Sequence, residues 1–214
     1  MRRFYRYASI SALATAAVLF GGIYSVAGEP QPPKATAAAA VLIKLESGHG
    51  SGVHIGNGFV LTASHVADGS KAFKLQTVDG KTKDAEVLWT NKQYDISLLR
   101  TDPAGLPAAT LKCEYAHDGE AIQAVGNPLS LEFVSAFGRI AGGNRSLGPW
   151  KSVLVTDITT VPGQSGGGVF DADGNLIGIT VGVLNAQVGL GVSLTGFGAI
   201  VPSQAICDLM GRVG

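Results

Sequence analysis

The sequence predicts an all-β protein made of two sets of about six antiparallel strands, closed by a short C-terminal helix. Three observations carry this expectation. Glycine supplies 30 of the 214 residues, about twice the usual share of roughly 7%, which suits many tight turns. Short β-prone runs recur between turn residues along the whole body of the chain. No helical segment alternates with them, so a parallel βαβ sheet is disfavoured and an antiparallel arrangement favoured. Two barrels, two sandwiches or one large sandwich all fit the strand count.

In chain order, Arg2, Arg3 and Arg6 precede an uncharged, mostly apolar run from Ala8 to about Ala27. A positive start, an apolar stretch and a small-residue site at Ser25-Val26-Ala27 fit an export signal. The run is also long enough to span a bilayer once as an uncleaved anchor. Both readings place the rest of the chain outside the cytoplasm. Gly28 to Ala40, with Pro30, Pro32 and Pro33 and then alanines, reads as a flexible spacer, and the folded unit as residues 41–214.

The first strand set covers 41–46, 51–56, 58–63, 71–78, 84–90 and 95–100, a lobe of about 41–101. Asn57-Gly58, Asp79-Gly80 and Asp173-Gly174 separate β-prone runs and favour the positive φ of two-residue hairpins. The segment 101–119, with Pro103 and Pro107 and little β-signal, is the natural connector. The second set covers 121–126, 131–138, 152–158, 167–170, 175–181 and 191–200, a lobe of about 119–201. After Pro202 a short helix places Ala205, Ile206, Leu209 and Met210 on one face.

Charge excludes some functions. Lys and Arg number 16, as do Asp and Glu, and no basic stripe interleaved with aromatic residues appears, so nucleic acid is not an expected partner. Cys113 and Cys207 are an even pair in a chain placed in an oxidising compartment, compatible with one long-range disulfide or with two buried thiols. Their spacing does not suit zinc, so neither a metal nor another cofactor is expected.

Chemistry concentrates at Ser165. In Pro162–Gly168, glycines two before the serine and directly after it let the backbone bend sharply and expose amide N–H groups, which can hold an oxyanion. A serine needs a base within hydrogen-bond reach and a third group to orient that base. Of the four histidines, His65 ends an apolar strand and is followed by small residues. His49 lies in a flexible-looking Gly/Ser stretch, His54 alternates with Val53 and Ile55 and reads as a surface residue, and His117 sits in the connector. Asp95 heads a mostly apolar strand, where a half-buried carboxylate needs a partner such as His65. Asp84, Asp102 and Asp118 read as solvated, and Asp157 is the alternative acid.

With these residues in view, the chain resembles the trypsin-fold (chymotrypsin-like) serine proteases, and within them the HtrA/Deg protease domain. The stretches GHGSGVHIGNGFVLTASHV, YDISLLR, AIQAVGNPLSLEFVSAFGRIAG, TDITTVPGQSGGGVF and GITVGVLNAQVGLGVSLTGFGAIVPSQ carry the resemblance, in the family's order, across about residues 41–210. It implies two six-stranded antiparallel β-barrels with the site between them. It also implies His65 as base, Asp95 as orienting acid, Ser165 as nucleophile, and the amides of Gly163 and Ser165 as oxyanion hole. Thr159 occupies the position where members that prefer basic residues hold an acid, and Thr180 the position where glutamate-specific members hold a histidine. With Thr160 these are the substrate-pocket candidates, and they suggest cleavage after small or medium apolar residues. Cys113 and Cys207 resemble a bridge seen in some secreted members.

There are departures. The family usually continues into PDZ domains, and none is expected here. Its trimer contacts use N-terminal aromatics, which the spacer lacks, so the resemblance carries no trimer over. Gly168 replaces a common proline. The reading is an exported serine endopeptidase acting on polypeptide, touching a membrane only if the N-terminal segment stays uncut. The alternative is an inactive binding module on the same fold.

Overall fold

A computed structural model describes residues 35–189 and 191–211. The candidate signal or anchor, 1–27, and most of the spacer, 28–34, lie outside the described residues. The end of the spacer is built into the fold: Ala35–Ala38 forms one helical turn, α1, and strand begins at Ala40, because Ala39 and Ala40 are buried in the core. Among the described residues no helix is long and apolar enough to cross a membrane.

Two closed six-stranded antiparallel barrels follow. The first contains β1 (Ala40–Lys44), β2 (His49–His54), β3 (Phe59–Thr62), β4 (Ala72–Thr77), β5 (Thr82–Asn91) and β6 (Ile96–Thr101), in the order β1-β2-β3-β6-β5-β4. Phe73, Leu75 and Thr77 on β4 alternate with exposed or half-buried neighbours, the period-two pattern of a strand with one wet face. Asn57 and Gly58 both have positive φ, 53° and 75°, closing the β2–β3 hairpin as its sequence demands. At Asp79-Gly80 and Asp173-Gly174 only the glycine has positive φ.

The second barrel repeats the order with β7 (Ala121–Gly126), β8 (Val134–Leu147), β9 (Trp150–Thr156), β10 (Gly168–Phe170), β11 (Leu176–Val188) and β12 (Gly191–Pro202). β8 starts later and runs further than its sequence suggests, and β11 is longer too. Their glycines look like turn residues. In the fold they sit at ladder irregularities, with register shifts between Ile140 and Gly142 and between Thr180 and Gly182.

Adjacent residues of the second barrel serve two cores. Leu154 joins Ile122, Ile140 and Ile177 inside it, whereas its neighbour Val153 belongs with Val125, Phe170 and Val181 to the apolar cluster continuous with the first barrel. The barrels are therefore held by shared core as well as by chain connectivity. The connector is tied down: Lys112 N–H donates to Leu176 O, and Lys112 Nζ reaches the Asp171 carboxylate at 3.3 Å. Helix α3 (Ser203–Leu209) packs on β11 and β12, with Ala205 and Ile206 buried and Ser203 Oγ donating to Glu114 O. Cys113 is disulfide-bonded to Cys207, linking connector to helix across a sequence separation of 94.

Closing so long a loop restricts the unfolded chain. Replacing both cysteines by alanine is expected to lower the urea unfolding free energy by about 2–4 kcal/mol; an unchanged midpoint and slope would contradict this.

Candidate active site

The first barrel supplies His65 and Asp95. After β3 the chain turns at Ala63 into the short helix α2 (Ser64–Ala67). Ser64, Val66 and Ala67 are buried, which leaves His65 facing outward with its side chain 49% exposed. Gly50 on β2 makes room for this turn, since a Cβ there would collide with the Val66 side chain.

Asp95 lies at the end of the β5–β6 turn with φ 58°, a left-handed conformation that Asp tolerates better than most residues. Asn91 Oδ1 braces that turn by accepting from the amides of Gln93 and Tyr94. The Asp95 carboxylate is buried and accepts four hydrogen bonds. Oδ1 takes Ser64 Oγ at 2.8 Å and His65 N at 3.0 Å; Oδ2 takes His65 Nδ1 at 2.8 Å and Trp150 Nε1 at 3.2 Å. Burial pushes this carboxyl up, but the donors and charge of His65, with Ser64, outweigh it and hold it below its ordinary value. An ionised Asp95 can only accept, so His65 Nδ1 carries the proton and Nε2 is left as the acceptor.

The second barrel supplies the loop around Ser165. Gly166 N–H donates to Thr180 O at 2.7 Å, and Thr180 N–H returns to Gly167 O at 2.9 Å, so the loop is pinned to β11. Gly166 also lies hard against the first barrel: a Cβ there would strike Ser51 O and Thr62 Oγ1, and would come within 3.0 Å of Ala63 N, two residues before His65. Gly163, with φ 96°, abuts Asn127 O and His49 Nε2 in the same way. At these two positions only glycine allows the approach that brings Ser165 toward His65.

Ser51 on β2 locks the loop. Its Oγ donates to Gly163 O at 2.7 Å, and its N–H donates to Ser165 O at 2.8 Å. The same hydroxyl accepts from Asn127 N at 2.9 Å and Asn127 Nδ2 at 3.0 Å, which uses all its hydrogen-bonding capacity. With the carbonyls of Gly163 and Ser165 thus occupied, their amides donate to no protein group among the described residues. No hydrogen bond joins Ser165 Oγ to His65 Nε2 among the described residues, as is common for unliganded sites whose contacts tighten on binding.

Of the pocket candidates, Thr160 and Thr180 are buried beside β12: Thr160 Oγ1 would lie 2.6 Å from a Cβ at Gly198, and Thr180 pairs with Ile200. Thr159 is exposed.

Two histidines differ from their sequence reading. His54 is not on the surface but buried, its Nδ1 donating to Pro107 O while Nε2 accepts from Gly58 N–H; a neutral ring with both nitrogens paired is at home there. His49 is not in a flexible stretch but begins β2, with Nε2 2.6 Å from Asn127 O. Asp157 is exposed and accepts from the Arg139 amide, remote from the role of orienting His65. Ser51, Asn127 and Trp150 had no assigned role in the sequence. The available signal for Ser51 was its place between two glycines on a strand, which marks close packing.

Comparison with known proteins agrees with the two-barrel fold. The family description "Trypsin-like peptidase domain" matches residues 50–179. "Serine protease Do-like HtrA" of Lactobacillus helveticus is 31% identical over 183 residues, covering 79% of this chain and 44% of the relative. "Probable periplasmic serine endoprotease DegP-like" of Halomonas elongata is 31% identical over 153 residues, covering 70% of this chain and 32% of the relative. The chain thus spans less than half the length of these relatives. A solved structure of the HtrA-type protease AlgW with a tripeptide superposes with TM-score 0.71 at 28% identity, covering 84% of this chain and 63% of that one.

Two outcomes follow from the site. Ser51→Ala would strand Gly163 O and the Asn127 amide in a buried setting and is expected to cost about 3 kcal/mol in denaturant unfolding; a loss below about 0.5 kcal/mol would show that the lock is dispensable. Asp95 contributes stability that is present above its ordinary value of 3.8 and is lost as pH falls through its lowered folded value. Stability measured from pH 6 downward should therefore show an acid-side loss that Asp95→Asn lacks; parallel profiles would disprove that contribution.

Proposed function

The chain belongs to the trypsin-like peptidase family, on its HtrA-like side, and from that premise we propose that it is a serine endopeptidase working through His65, Asp95 and Ser165. The observation that carries the proposal is the pairing of two half-sites. Asp95 orients His65 with Nε2 as acceptor, and Ser51 holds the carbonyls of Gly163 and Ser165 so that both amides are free to bind an oxyanion.

In this reading a polypeptide carbonyl enters beside Ser165. Nε2 of His65 removes the Oγ proton as Oγ bonds to the carbonyl carbon, and Asp95 stabilises the imidazolium that forms. The carbonyl oxygen, now negative, is held by the Gly163 and Ser165 amides, a contribution on the order of 3 kcal/mol per donor. His65 passes its proton to the amine as the peptide C–N bond breaks, leaving an acyl-enzyme. Water, deprotonated by the same imidazole, then releases the acid and restores Ser165.

Thr159, Thr160 and Thr180 offer no charge to a side chain of the substrate, which supports cleavage after small or medium apolar residues. An extracytoplasmic location is supported by the "periplasmic" in relatives' names, by the export-like N-terminus and by the Cys113–Cys207 bond. The unmade Ser165–His65 hydrogen bond is the one observation that suits the alternative, a trypsin-fold binding module without turnover.

A fluorophosphonate probe separates the two. Labelling of Ser165 that Ser165→Ala abolishes, together with casein cleavage, is the expected result. A folded wild-type protein that neither labels nor cleaves, with or without added peptide, would favour the binding module.

A further inference from the structure

We propose that Trp150 is a positioning residue for the Asp95–His65 pair, reaching it from the opposite barrel. The inference rests on the triad reading above, and it concerns a contact made by the β8–β9 hairpin. Leu147 pairs with Trp150 across a turn at Gly148 and Pro149, so Trp150 is the first residue of β9 and stands at the tip of that hairpin.

The tip docks on the turn that carries Asp95. Lys151 N–H donates to Gln93 O at 2.8 Å, and Lys151 Nζ lies 5.4 Å from the centre of the Tyr94 ring. Beside these contacts, Trp150 Nε1 donates to Asp95 Oδ2 at 3.2 Å. The indole rests across β11 at Gly182, where an added Cβ would fall within 2.7 to 2.8 Å of Cζ2 and Cη2. The ring thus occupies a place that any other residue at 182 would obstruct.

Indole N–H is a donor with no alternative role, fixed by a rigid ring, and here its acceptor is the same oxygen that holds His65 Nδ1. With Trp150 on its second lone pair, Oδ2 cannot swing away from His65 without leaving an indole N–H unpaired in a half-buried place. The bond also draws charge from the carboxylate. Its loss leaves His65 Nδ1 as the one remaining donor to Oδ2, so the carboxylate can turn and the imidazole can follow it.

The test compares wild type with Trp150→Phe, which keeps an aromatic ring at the hairpin tip and removes the donor. The Nδ1 proton of His65 is followed by NMR at one fixed pH, a readout that needs no turnover. Its charged surroundings are the same in both proteins: Lys44, Glu46, Asp68, Lys74 and Asp84 around the adjoining cavity, Lys92 paired with Asp68, and Lys151. The expected result is a displaced Nδ1 proton resonance, because its bond to Asp95 Oδ2 loses the brace from Trp150; a resonance unchanged from wild type overturns the proposal.

If Trp150→Phe does not fold, the chain's two tryptophans allow a second measurement. Asp95→Asn should move the indole proton resonance of Trp150 and leave that of Trp89 in place, and an unmoved Trp150 resonance overturns the proposal. Absence of peptide cleavage by the wild type would remove the proposed function while leaving both NMR outcomes decisive for the Trp150 contact.

Discussion

One buried hydroxyl, Ser51 Oγ, joins the barrels at the place where chemistry is proposed. It belongs to the first barrel, donates to Gly163 O in the second and accepts from both nitrogens of Asn127, while its own amide holds Ser165 O. A hydroxyl in this position can be satisfied only if the barrels sit in one relative placement. Gly163 and Gly166 are the steric counterpart, because a side chain at either would hold the barrels apart. His49 extends the lock by binding Asn127 O, and Asn127 Oδ1 accepts from Phe133 N–H, fixing the loop before β8.

The His65 half of the proposed site is organised around a buried charge. Asp95 is tolerable in the interior because four donors surround it, three of them from Ser64 and His65 on the neighbouring helical turn. Those donors fix the His65 tautomer as well as its direction. The fourth, from Trp150, comes from the second barrel, so the carboxylate also registers whether the barrels are correctly placed. Stability and the geometry of the proposed site therefore depend on shared contacts. Weakening the interface would disturb both.

The features visible in the sequence are those with local causes. Strand periodicity, the Asn57-Gly58 turn and the final helix depend on neighbours a few residues apart, and they appear where their residues suggest. His65, Asp95 and Ser165 stand out as candidates in the sequence because each sits in an unusual local frame, and the structure places His65 Nδ1 2.8 Å from Asp95 Oδ2. Ser51 to Asn127 spans 76 residues and Trp150 to Asp95 spans 55, and neither contact leaves a local trace. His54 was misread because strand alternation does not say which face a neighbouring loop covers; Pro107 and Gly58 close over it. The lengths of β8 and β11 were hidden by glycines that serve bulges and close packing instead of turns.

In the proposed site Ser51 holds the loop so that Ser165 and the amides of Gly163 and Ser165 act together with His65. A crystal structure with a peptidyl boronate tests it directly. The expected complex has boron bonded to Ser165 Oγ, one boronate oxygen about 2.7–3.1 Å from both amides, His65 Nε2 beside the adduct, and the Ser51 contacts retained. A boronate bound elsewhere, or bonded to Ser165 with its oxygen turned away from those amides, would contradict it.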